Sequence, residues 1–254
     1  MEVFNVPETD VCGVRFPRVL LGTSPFIAAG QFGAKSQEYY LRFVLNPANI
    51  TKLVSYCLRS GIKGIQLIPY DFVSAAIYRA YKETGVKPTV VGTFSPEIDG
   101  ALDWLVKLEC KIAFIHATIT DSLDLELVGE TVSILKEHGM VAGVATHLPH
   151  LTIPFIERLR REVGVEALMA PLNSRGLFMG GMEVVKRYEE LNMPLVAKKV
   201  LGAGRIKPGE AFKFVFSFDF VRSVAVGVSS KEEARETFKA ALKYARQPPF
   251  PVDS

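Results

Sequence analysis

An α/β protein whose eight parallel strands close into a (β/α)8 barrel is what this sequence predicts, and three observations predict it. Short apolar runs rich in β-branched residues alternate eight times with amphipathic segments of helical length. The chain has 254 residues, the size such a domain commonly takes. Mean hydropathy is +0.20, yet no apolar run approaches the roughly 18 residues of a membrane span, which places the excess in strands buried on both faces.

The elements follow in order. Residues 1–17 read as an extended segment, two short pieces folded about Cys12-Gly13 into a hairpin that plugs the barrel floor. Barrel strands are expected at 18–23, 64–69, 89–93, 113–117, 141–146, 167–171, 195–200 and 223–228, with helices starting near Ala48, Asp71, Glu97, Ser122, Leu151, Met182, Pro208 and Ser230. Pro208 suits a first helical turn, and Ser230 with Glu233 forms a Ser-x-x-Glu capping box. Gly61, Gly85 and Gly139 stand where helices stop. Residues 24–47 make one long lid-like loop after the first barrel strand, and Gln247-Pro-Pro-Phe-Pro opens a tail, 247–254, that no helix can continue. No linker divides the chain, so 1–254 reads as a single domain.

Charge is nearly balanced, 30 Lys+Arg against 27 Asp+Glu, with no basic run to grip nucleic acid. The start lacks a basic stretch leading into an apolar one, and three cysteines is an odd, widely spaced set. These features predict a cytoplasmic protein with reduced thiols and a small-molecule substrate as its partner, engaging neither membrane nor nucleic acid. They fix no oligomeric state.

Active sites of such barrels lie where the strands end. Those ends supply Gln66 and Tyr70, His116, His147, Asn173 and Arg175, then Lys198 and Lys199. Strand parity turns only one of two adjacent lysines inward, and an inward amine is partly desolvated, which lowers its pKa and suits a Schiff-base nucleophile or an electrostatic partner for an anion. Gly202, Gly204 and Arg205 after the seventh strand, with Gly227, Ser229 and Ser230 after the eighth, have the makings of an anion or phosphate cradle, since glycines expose backbone N–H groups and a helix start adds positive potential. His147-Leu-Pro-His150 with His116 offers imidazoles, but Pro149 interrupts the spacing and no carboxylate is fixed nearby, so no metal is expected.

The run Gly143-Val-Ala-Thr-His147, Met169-Ala-Pro-Leu-Asn173, Val196-Ala-Lys-Lys-Val-Leu-Gly-Ala-Gly204 and Ser223-Val-Ala-Val-Gly-Val-Ser-Ser230 resembles the aldo-keto reductase barrel, as do Leu21-Gly-Thr23 and 61–70. The resemblance is distant. It implies carbonyl reduction by an Asp, Tyr, Lys and His tetrad with NAD(P)H as hydride donor. Of that tetrad His116 persists. Gln66 stands in the Asp position, Asp71 in the Tyr position with Tyr70 one place off, and Thr93 lies near the Lys position. Lys198 takes the place of the side chain that lies against the nicotinamide, and Gly227 and Glu233 fall where basic residues would hold a 2′-phosphate.

Three functions follow. The first is an enzyme with altered, non-redox chemistry on an anionic or phosphorylated carbonyl compound, with His116 as acid–base and Lys198 or Lys199 as electrophile or nucleophile. The second is an NAD- or NADP-dependent oxidoreductase with a substituted tetrad. The third is a catalytically silent barrel that binds.

Overall fold

The chain opens with a hairpin in which β1 (Glu8–Val11) pairs antiparallel with β2 (Val14–Pro17). The two turn residues, Cys12 and Gly13, have φ of 53° and 80°, the left-handed pair that matches the twist of adjoining strands. The structure, a computed structural model, describes residues 2–245; the tail expected at 247–254 lies outside them.

Eight strands then close in parallel: β3 (Val19–Gly22), β4 (Gly64–Leu67), β5 (Thr89–Phe94), β6 (Ile112–Ile115), β7 (Val141–Ala145), β8 (Ala167–Pro171), β9 (Leu195–Lys198) and β10 (Val221–Gly227), with β10 returning to pair with β3. The eight-strand barrel expected from the sequence is the one observed.

Alternation along each strand divides the core in two. Leu20, Val91, Phe114, Ala145, Met169, Val196 and Ala225 form an inner cluster that also contains Val11 and Phe16 of the hairpin, so the hairpin plugs the barrel as expected. Residues of opposite parity, among them Leu21, Ile65, Val144 and Ala197, face the helices. Gly143 is the inner-face exception that lets Phe114 lie flat, because a Cβ there would stand 2.5 Å from the Phe114 ring and 2.8 Å from the Ala167 carbonyl oxygen.

The helices are α1 (Lys35–Tyr39), α2 (Ala48–Arg59), α3 (Asp71–Thr84), α4 (Ala101–Lys107), α5 (Ala117–Thr120), α6 (Leu125–Glu137), α7 (Pro149–Glu162), α8 (Val184–Leu191), α9 (Pro208–Val215) and α10 (Lys231–Leu242). Two starts lie three or more residues beyond their expected places, for local reasons. Gly100, at φ 67°, holds α4 back from 97 to Ala101, and the Asp124 carboxylate accepts from the Leu127 N–H, so that α6 starts at Leu125, three residues later than Ser122. Short α5 was not expected at all; it begins directly after His116, where a strand running to 117 was anticipated.

The long loop is ordered rather than plain. It holds 3₁₀ turns at Ser24–Ile27 and Gly30–Phe32, α1, and a π turn at Tyr40–Val44. Phe26 meets Phe43 with ring centroids 5.0 Å apart, and Phe32 meets Tyr39 at 5.1 Å, an aromatic knot that fixes the loop over the barrel mouth. Among the described residues no helix is long and apolar enough to cross a membrane.

Candidate active site

Parity settles which lysine enters the barrel. Val196 belongs to the inner cluster, so Lys198, two residues on, points inward at the top of β9. Lys199 follows the strand end with φ of 55° and lays its Nζ over the Phe178 ring, 4.8 Å from the centroid. Both line a cavity of about 480 Å³ in the mouth, together with Gln66, Thr93, His116, His147 and, from the ordered loop, Phe32, Lys35 and Tyr39.

The polar contacts at the base of this cavity are specific. Lys198 Nζ stands 3.1 Å from His147 Nδ1. When the amine is protonated it can only donate, so Nδ1 then accepts and the His147 ring proton sits on Nε2. Burial, then Lys198, Lys199 and His116, hold His147 far below the ordinary histidine range. His116 is also lowered, by burial first and then Lys198. Its Nδ1 accepts the Thr118 N–H at 3.3 Å and lies 2.8 Å from Thr118 Oγ1, which leaves Nε2–H as the ring's free polar edge. The two imidazoles meet edge to face with centroids 6.3 Å apart. Burial and the neighbouring Lys199 bring the Lys198 amine down to about 7, with Asp121 opposing the shift. Lys199 is lowered as well, by burial.

Other expected residues fall elsewhere. Tyr70 is 41% exposed at the start of α3, beside Phe72, and is not among the cavity-lining residues. Asn173 is fully buried but spent on its own loop: its Nδ2 donates to the Leu177 carbonyl at 2.8 Å, and its Oδ1 accepts from the Arg175 and Leu177 N–H groups. Arg175 is exposed and lies 3.9 Å from Glu210. Gln66 does line the mouth, where its Nε2 donates to Thr93 Oγ1 at 2.9 Å, a neutral pair across the strand ends.

The residues expected as an anion cradle make the following local contacts. The Gly202 and Gly204 N–H groups donate to the Lys199 and Leu201 carbonyls, both at 2.9 Å, so the turn consumes its own donors. Arg205 is exposed, with its guanidinium 5.9 Å from the Phe178 centroid. Ser230 caps α10 by accepting from the Glu233 N–H, as expected, but the Glu233 carboxylate reaches past it to Ser229, accepting from its N–H at 2.8 Å and its hydroxyl at 2.7 Å. Gly227 is pressed against Pro25, whose ring would clash with any Cβ there. The Glu233 carboxylate thus takes up both Ser229 donors.

Sequence reasoning assigned no role to Asp121, Thr93 or Thr146, although all three stand at or just beyond strand ends; what they do depends on partners about 25 residues away. Among the described residues no group of three or more His, Cys, Asp or Glu side chains is arranged to hold a metal ion.

No family model and no curated protein matches this sequence. Among solved structures, the fold is similar to a protein from Pseudomonas aeruginosa provisionally assigned as an aldo-keto reductase, at 16% identity and a TM-score of 0.68, covering 96% of this chain and 98% of that one. It is also similar to a glycerol dehydrogenase from Gluconobacter oxydans, at 15% identity and a TM-score of 0.57, covering 97% and 98%. The likeness bears out the distant resemblance read from the sequence at the level of the barrel. The NADPH that the resemblance implies does not fit these residues: Glu233 lines the mouth and occupies Ser229, so a 2′-phosphate would meet a carboxylate.

Proposed function

We propose that this barrel is an enzyme that acts on a small anionic carbonyl compound, with Lys198 as the Schiff-base nucleophile. The observation that carries the reading is the placement of the Lys198 amine. It points into a recess of about 480 Å³, is 3.1 Å from a neutral imidazole, and forms no ion pair with a carboxylate among the described residues. An amine so placed is substantially free base near neutral pH, the state that attacks a carbonyl carbon.

In the reaction the Lys198 nitrogen bonds to the carbonyl carbon, and His116 Nε2–H holds the developing alkoxide. Both protons of the neutral amine pass in turn to that oxygen with His116 as acid–base, and the oxygen leaves as water when the neutral imine forms. Lys199, and Lys35 from the loop, supply positive charge to receive the substrate's anion; side-chain ammonium groups thus replace the backbone cradle expected from the sequence. Gln66 and Thr93 form the opposite polar wall.

Borohydride trapping with a panel of 2-oxo acids and sugar phosphates tests this. The expected result is the reduced-adduct mass on the peptide containing Lys198, absent in Lys198→Met. A panel that leaves that peptide unlabelled, with the protein folded, removes the Schiff-base chemistry.

A further inference from the structure

Between β6 and β7 lies a hydrogen-bond cluster that the chemistry above leaves unused. The Asp121 Oδ1 accepts from Thr146 Oγ1 at 2.6 Å, and Oδ2 accepts from the His147 N–H at 3.0 Å. Thr146, fully buried, also meets Thr152 Oγ1 at 2.8 Å and accepts from the Leu148 N–H at 2.9 Å. Asp121 itself is anchored by its own N–H to the Ala117 carbonyl, one residue past His116. Asp121 therefore links the two segments, its backbone N–H bonded to the peptide that follows His116 and its carboxylate to the peptide that carries His147.

We infer that Asp121 is a positioning residue of this site, clamping the 146–148 turn so that His147 Nδ1 is held against the Lys198 amine. The inference rests on the Lys198 reading for its catalytic consequence, while the clamp itself rests on the hydrogen bonds. A bidentate carboxylate fixes both the backbone and the Thr146 side chain, which a single hydrogen bond cannot. The clamp also sets charge. The groups around the Lys198 amine are His116 and Asp121 after β6, His147 after β7 and Lys199 beyond β9, with Lys35 of the loop and Glu233 of α10 on the same cavity wall. Asp121 is the anion that opposes the loss of the Lys198 proton.

The test is acylation of the folded protein by acetic anhydride, resolved at the Lys198 peptide by mass spectrometry over a pH series. Asp121→Asn keeps one acceptor and removes the charge, so the midpoint of Lys198 labelling moves to lower pH, by about half a unit for one partly screened opposite charge. Asp121→Glu keeps the charge and the midpoint. If Asp121→Asn does not fold, Thr146→Val against Thr146→Ser addresses the same clamp: loss of the hydroxyl in Val changes the midpoint and its retention in Ser does not. An unchanged midpoint in Asp121→Asn, or in Thr146→Val, overturns the inference even where carbonyl trapping succeeds. Trapping that fails while the midpoint moves overturns the Schiff-base reading and leaves the clamp standing.

Discussion

Replacing Lys198 with Met changes how stability depends on pH in a way the site geometry dictates. In the folded chain the amine is brought from 10.5 to about 7, whereas in the unfolded chain it returns to its ordinary value. The folded-state pKa is the lower one, so between these limits the unfolded chain binds more protons, and stability falls as pH falls from 10.5 toward 7. The separation corresponds to about 5 kcal/mol at most, at about 1.4 kcal/mol per unit. Because Lys198 is only half-buried at the mouth, screening lowers this to about 2–3 kcal/mol. Methionine has a similar length and no charge, and leaves His147 Nδ1 without its donor, a constant cost of about 1 kcal/mol. Urea unfolding of parent and Lys198→Met at a series of pH values then gives a difference that drifts in favour of the variant by about 2–3 kcal/mol on going from pH 10.5 to 7. Groups remote from Lys198 titrate alike in both proteins and cancel in the difference. Parallel curves across that window would refute the claim that the amine is desolvated by the barrel, and with it the ground for making Lys198 the nucleophile.

Two further outcomes follow from contacts already described. Gly143→Ala inserts a methyl 2.5 Å from the Phe114 ring and 2.8 Å from a backbone oxygen, and is expected to destabilise by about 1–3 kcal/mol, read as a lower urea midpoint with unchanged slope. Titration with NADPH followed by protein fluorescence is expected to show no saturable quenching at millimolar cofactor; Glu233→Gln, which removes the opposing charge, is the variant in which any weak binding should first show.

The barrel was legible because its signals are local and repeated. Each strand is a short β-branched run, and Pro208 and Ser230 mark helix starts where the structure has them. The sequence also showed that one of Lys198 and Lys199 must face inward, but not which, since parity is counted from a residue known to be inside; Val196 beside Phe16 supplies that origin. Several of the expected site residues share a pattern. Asn173, Ser229 and Gly202 all carry donors or acceptors at strand ends, which is what a ligand site needs, yet each spends them on a neighbour within five residues, and such local satisfaction leaves no mark in residue type. Asp121, noted after the fourth strand, received no role for the converse reason: its partners, Thr146 and His147, lie 25 and 26 residues away and are brought close by the pairing of β6 with β7.

Among the described residues, the 8–17 hairpin closes one end of the barrel and leaves the mouth at the other. Val11 and Phe16, almost wholly out of water, stopper the end opposite the lysines, and Phe4 is pinned to the Ser60 carbonyl on that same underside. A surface or carrier attached ahead of Val3 would therefore hold the molecule by its base and present the mouth outward, an orientation in which immobilised protein can be challenged with solutes in sequence without its entrance being obstructed.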